Sequence, residues 1–413
     1  MNKENLFKDL FMNKKLTLIF SFLGLFLISV GISWGAFSFL SKGGNYQTSK
    51  NTKDARSKIN LNLPKTEECP INGEMFTKPE KEIWEKRRPL LAVIENHKDA
   101  RPQSGISHAD VTYEVVAEGG ITRFLNVFYC RASAEDFKIG PIRSARVYLI
   151  NWASEYAEFP IFLHVGGANN ICKNCPGGVK PAGDVASKVN AFDLMTKINW
   201  RYANGPAMDG GTNIGYPAVY RDYERIPGAA AEHTMMAQTD KIFAEAEKRG
   251  FAAKDSNGKL WSAGFTQWKF ADGKADASGN AKDISYKFWG NDLGNDYTVQ
   301  WKYDSSTNQY LRTNGGQSHT DMETKQQLAA SDVVTMFVKE DGPVDKEHHM
   351  YYEVVGTGKA LVFQNGTMIE GTWKKASRTA RTIFYDSNGK EIIFVRGKIW
   401  ISALPVGNDV TYN

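Results

Sequence analysis

The most extended uncharged run in the chain is Leu16 to Leu40, LTLIFSFLGLFLISVGISWGAFSFL, 25 residues without a charge. At a helical rise of about 1.5 Å per residue it spans roughly 37 Å, more than the ~30 Å hydrocarbon core of a bilayer. It is long for a cleaved signal peptide, no small-x-small cleavage site follows, and no cysteine near its end could carry a lipid. The pattern predicts a single transmembrane helix, an uncleaved signal anchor over 16–40, behind a cytoplasmic tail of residues 1–15. Lys14 and Lys15 precede it and Lys42, Lys50, Lys53, Arg56 and Lys58 follow, so the positive-inside count is nearly balanced and the short tail favours N-in. The folded bulk is then extracytoplasmic. Residues 41–86 open on Gly, Ser, Asn and Lys and read as a flexible linker.

Past the linker the period changes. PLLAVIEN (89–96) is continuously apolar up to Glu95, as in a strand buried on both faces. VTYEVVA and ITRFLNVFYC, joined by Glu118-Gly119-Gly120, predict a hairpin or bulged strand pair. Pro141 opens IRSARVYLINWASEYAEF, where Val147, Ile150, Trp152, Tyr156 and Phe159 recur at near-helical spacing. IFLHV is a further strand ending at Gly166-Gly167, and Thr239 to Arg249 reads as a helix stopped by Gly250. Strands interleaved with helices predict an α/β domain over 87–262. Beyond it, short aromatic and β-branched runs with Asn365-Gly366 and Asn388-Gly389 turns predict a mostly antiparallel β domain over 263–413.

Composition adds limits. Hydrophobic content of 42% and aromatic content of 12% suit a folded chain. Fifty-one basic and 46 acidic residues leave +5 with no dense basic block, which argues against a nucleic-acid partner. The one CxxC, Cys172 to Cys175, runs into Pro176-Gly177-Gly178, which breaks the helix that a redox motif normally opens. A four-thiolate zinc site would need Cys69 and Cys130 to converge on it. A Cys172–Cys175 or longer-range disulfide is the simplest reading outside the membrane. No Walker A loop, HExxH, GxSxG or strand-borne GxGxxG is present, and no cofactor or metal site is predicted.

Candidate chemistry concentrates between Glu114 and Arg146. Read as a regular strand, VTYEVVAE puts Thr112, Glu114 and Glu118 on one side, with the two carboxylates about 13 Å apart. Glycosidase pairs stand at roughly 5–9.5 Å, so these two would need another partner, such as Asp184 or Asp222. Arg123, on a strand face with Ile121, Leu125 and Val127, must be paired with a glutamate or point into a cleft. In GPIRSAR, Pro141 and Ser144 suit a helix start, which would set Arg143 and Arg146 among free N–H groups as an anion site. His164 closes a strand where α/β sheets tend to place ligands. His97 and Arg101 follow the first strand of the domain, and His233 is a further candidate.

ENHKDARPQSGISHADVTYEVVAEGGITRF, IGPIRSAR and FLHVGG resemble the YerB-like family, a domain of unknown function in exported bacterial lipoproteins. YDSSTNQYLR, GTGKALVFQNGTMIEGTWKK and GKIWISALP resemble that family's C-terminal domain, and together the motifs cover most of 88–405. The resemblance implies a three-layer α/β N-terminal domain, a β-rich C-terminal domain and an envelope location, with no activity or catalytic residues to carry over. Two departures stand out: an apolar helix replaces a lipidated cysteine, and AAAEHTM stands where relatives tend to have Pro-His-Asn, leaving His233 as the matching histidine.

Three readings of function follow, the third being a pure adhesion or scaffolding role through the β domain. In the first, a membrane-anchored envelope protein binds an anionic cell-wall component or a wall enzyme, with Arg143 and Arg146 holding the anion and Glu114, Glu118 and Arg123 shaping the cleft. In the second, a wall glycan hydrolase or transferase uses Glu118 or Asp222 as acid/base, assisted by His164 or His233.

Overall fold

The computed structural model describes residues 59–172, 174–181, 183–255, 257–289 and 296–413. The predicted anchor at 16–40 lies outside the described residues. Among the described residues no helix is long and apolar enough to cross a membrane.

Ten strands make one mixed sheet: β1 (Leu90–Glu95), β2 (Val111–Glu118), β3 (Ile121–Phe128), β4 (Ile161–His164), β5 (Ala207–Asp209), β6 (Asp332–Val338), β7 (Gly356–Gln364), β8 (Thr367–Lys375), β9 (Ile383–Asp386) and β10 (Ile399–Pro405). Their order is β9-β8-β7-β6-β10-β2-β3-β1-β4-β5. β10 is parallel to both β6 and β2, so strands from the two halves of the chain share one sheet. β1, β4 and β5 are also mutually parallel, separated from β2 by the antiparallel β3. β1 is buried throughout, which is why its residues form an unbroken apolar run. A second antiparallel sheet, built on Val299–Asp304 and Gln309–Asn314, alternates buried and exposed positions and lays Trp301 and Arg312 against Trp400 of β10.

The expected three-layer α/β domain does not form. The described residues are mostly β, with only four α-helices: α1 (Lys78–Trp84), α2 (Val147–Ala153), α3 (Ala191–Lys197) and α4 (Thr239–Lys248). The helix predicted from Pro141 illustrates the reason. Residues 141–145 are extended and fill the space between the ends of β1 and β4. On one side Arg143 N–H donates to Val93 O and Glu95 N–H donates to Pro141 O, both at 2.9 Å. On the other, Val165 N–H donates to Arg143 O and Ala145 N–H donates to Gly166 O, both at 3.0 Å. Long-range pairing overrides the local helical period, and only seven residues from Val147 coil.

The linker expected over 41–86 also needs correction from Lys65 onward. Lys65–Glu68 pairs with Met75–Thr77, and α1 follows with Thr77 and Glu80 forming a capping box. Ile71, Phe76 and Trp84 enter the core, and a Cys69–Cys130 disulfide ties the segment to the end of β3. The second disulfide is Cys172–Cys175, so both the local and the long-range alternatives are realised.

Candidate functional site

The β2–β3 hairpin turns at Gly119 and Gly120, both at positive φ, as a tight primed turn requires. A bulge between Val116 and Glu118 then breaks the two-residue period. Glu114 ends up beside Thr122 and Glu118 beside Arg123, and neighbouring residues of β3 point to opposite faces. The two glutamates predicted to share a side therefore sit on opposite sides of the sheet.

Glu114 is fully buried. Its carboxylate accepts from Arg312 Nη2 at 2.8 and 3.0 Å, Thr122 Oγ1 at 2.9 Å, Trp400 Nε1 at 3.1 Å and Asn96 Nδ2 at 3.4 Å. Arg312 stacks on Trp400 and donates from Nε to His319 Nδ1, whose Nε2 then donates to Gln103 Oε1. Burial first, and Arg312 second, push the His319 imidazole well below its ordinary pKa and keep it neutral. Arg101 joins this network through Asn96 Oδ1 and Asp296 O, with its guanidinium over Tyr297. Glu114 and Arg101 thus knit the two sheets together, and Glu114 is closed off from solvent.

On the other face Glu118 bridges Arg123 at 2.8 Å and Arg146 at 2.5 Å. Burial raises the Glu118 carboxyl, but the two guanidiniums outweigh it and hold the group far below the usual carboxylate range. Arg123 spends another N–H on Ser144 O, and Arg146 one on Ala145 O. Arg146 precedes α2 as its N-cap, but the seven-residue helix and the glutamate leave no open anion site there.

His164 is buried at the end of β4, its Nδ1 against Gly166 O at 2.8 Å and its partner in register Asp209. Burial lowers its pKa, and Asp209 opposes that shift. Asp222 accepts backbone N–H from Glu224 and Arg225 and faces Lys138 at 3.4 Å. Neither lies in the same contact network as Glu118.

Arg143 behaves differently. Carried by the extended insertion between β1 and β4, its Nε meets Glu95 Oε1 at 3.1 Å, and its Nη1 donates to Glu232 O at 3.3 Å. The second Glu95 oxygen lies 2.9 Å from His233 Nδ1, and the His233 ring stacks on His97 with centroids 4.7 Å apart. Three of the predicted residues (His97, Arg143 and His233) therefore meet at one corner, at the C-terminal end of β1. Five surface clefts of about 320–580 Å³ lie elsewhere and include none of the candidate residues.

Residues 76–252 match the "Protein of unknown function (DUF3048) N-terminal domain", and residues 291–401 match the C-terminal domain of the same description. The chain belongs to the DUF3048 family. It is 28% identical over 339 residues to the "Putative lipoprotein YerB" of Bacillus subtilis (strain 168), covering 82% of this chain and 86% of that protein. It also resembles the crystal structure of the Bacillus subtilis YerB protein, with a TM-score of 0.62 at 26% identity over 84% of this chain and 100% of that one.

Within this DUF3048 chain, sequence reasoning missed Glu95 and Asp99 at the corner and Arg312 in the core. Glu95 had a signal: it is the one charge closing a fully buried apolar strand, a position that demands a partner. Arg312 had none, because its partner lies 198 residues away.

Proposed function

We propose that this protein works at the outer face of the cell membrane, attached through its uncharged N-terminal stretch, and binds an anionic cell-wall component or a wall enzyme that presents one. The binding locus is the corner of Glu95, His97, Arg143 and His233, and its occupation regulates wall synthesis or cleavage. One observation carries the reading: among the arginines from 123 to 146 that sequence analysis selected, Arg143 alone keeps its side chain at the surface, 26% exposed against 4% for Arg123 and 7% for Arg146. The lipoprotein description of the Bacillus relative and the two disulfides support the location, since disulfides persist in oxidising compartments.

The hydrolase reading draws less support. Glu118 lies between two guanidiniums that keep it ionised, which unsuits it to donate a proton.

Sedimentation with purified wall fragments tests the binding. Arg143→Ala is expected to lose at least about tenfold in retention, the value of one charge-assisted hydrogen-bonding group; unchanged retention would refute the locus. For the location, maleimide is expected to label protein extracted from membranes only after reduction, and labelling without reductant would contradict it.

A further inference from the structure

The same corner gathers donors suited to a metal. His97, Asp99 and His233 each offer one ligand atom, and the three atoms lie within 4.8 Å of one another. Two come from the short turn after β1 and the third from the turn Ala231–His233. His97 Nδ1 stands 3.6 Å from Asp99 Oδ2. Two donors bound at about 2.0–2.2 Å to a tetrahedral zinc stand roughly 3.4 Å apart, so this pair has near-bonding spacing once His97 Nδ1 releases the Asp99 N–H that it accepts at 3.3 Å.

His233 carries the second indication. Its Nδ1 is held by the Glu95 carboxylate at 2.9 Å, both side chains being over nine-tenths buried. A carboxylate on the far nitrogen is how proteins fix the tautomer and orientation of a metal-bound imidazole, and it leaves Nε2 as the free donor. Glu95 is itself steadied by Arg143.

We propose that His97, Asp99 and His233 bind a divalent first-row cation, zinc by preference, with Glu95 as the positioning residue for His233. Two imidazoles and one carboxylate suit zinc better than magnesium or calcium, which favour all-oxygen shells. Three protein donors leave a fourth position open, the arrangement of sites that take an outside ligand. Arg143 meets Glu95 on the Nδ1 side of the His233 ring, away from Nε2, so within one corner a carboxylate or phosphate of the bound wall component takes the guanidinium and the cation takes Nε2. That last step rests on the proposed function; the metal site does not. Because the His97 and His233 rings now stack with 12° between their planes, binding turns the His97 ring out of the stack so that both lone pairs meet one cation.

Titration of Zn²⁺ alone into the purified, untagged full chain tests the site, with Co²⁺ as its spectroscopic substitute. Wild type is expected to take up one equivalent and to give the visible absorption of low-coordinate Co²⁺. His97→Ala and Asp99→Asn, which change surface-turn residues and spare the fold, are each expected to weaken binding at least tenfold. Glu95→Gln is expected to weaken it about 10–100-fold. No saturable equivalent in wild type, or equal affinity in His97→Ala and Asp99→Asn, overturns the proposal. Arg143→Ala is expected to keep zinc affinity within about threefold while losing wall fragments. Zinc binding without any wall retention in wild type therefore defeats only the proposed function, whereas Arg143-dependent retention without zinc binding defeats only the metal site.

Discussion

Glu114 and Glu95 are carboxylates in the same sheet, two strands apart, and their fates differ. Glu114 sits mid-strand under the second sheet, where every oxygen lone pair must be met from within, and Arg312, Thr122, Trp400 and Asn96 meet it. Glu95 sits at the strand end, where the chain insertion at 141–145 brings Arg143 and the turn at 231–233 brings His233. The first arrangement is closed and joins sheets; the second borders solvent and orients groups that retain unused donor capacity. Position along the strand, more than residue type, separates structural charge from chemical potential here.

The sharpest way to break this comparison is to open the closed network. Arg312→Met leaves Glu114 buried without its countercharge and is expected to cost about 3–5 kcal/mol in urea unfolding. The Glu114→Gln, Arg312→Met double variant should recover part of that loss, because the two residues are coupled. A loss below about 1 kcal/mol would mean the network is dispensable.

Next come the disulfides. Cys69–Cys130 closes 61 residues and Cys172–Cys175 only 3. Replacing the first pair by serine is expected to destabilise by about 2–3 kcal/mol more than replacing the second, from loop-closure entropy. Equal losses would contradict that reading.

Glu118 gives a smaller effect with a pH signature. Its folded pKa lies below the ordinary 4.5, so its contribution is complete above that pH and drains away as pH falls toward the folded value. Glu118→Gln is expected to cost about 1–3 kcal/mol at neutral pH, discounted because the side chain is 34% exposed. Its acid unfolding curve should be correspondingly shallower, as scanning calorimetry between about pH 5 and 2 would show. The smallest stability effect belongs to Arg143→Ala, expected at about 1 kcal/mol by the same urea assay, because Arg143 is itself 26% exposed and His233 still meets the buried Glu95.

Much of the local structure was legible in the residues. The apolar runs of β1 and β4, the Gly119-Gly120 turn, the Asn365-Gly366 hairpin and the Gly250 stop all appear where the pattern placed them. The layer architecture was not legible, because strand pairing across more than 280 residues, as between β2 and β10, leaves no periodic trace. The same limitation misplaced the helix start at Pro141, whose neighbours are claimed by β1 and β4. At the candidate site, His97 was readable from its place in the polar loop after the first strand, Arg143 was selected on a helix start that does not form, and His233 came from the family resemblance. The opposite faces of Glu114 and Glu118 were not legible, since a one-residue bulge inverts the period without changing composition.

The most direct test of where this protein binds is site-specific photocrosslinking to intact cell walls. A photoreactive residue replaces either Glu232, exposed at the rim beside Arg143, or Thr379, exposed in a separate cleft with Arg88 and Phe159. Crosslinks to wall material or its associated protein are expected from position 232 and not from 379, and to vanish from 232 when Arg143→Ala is added. Crosslinking from 379 alone, or from 232 regardless of Arg143, would contradict the assignment of the Glu95–His97–Arg143–His233 corner as the binding site.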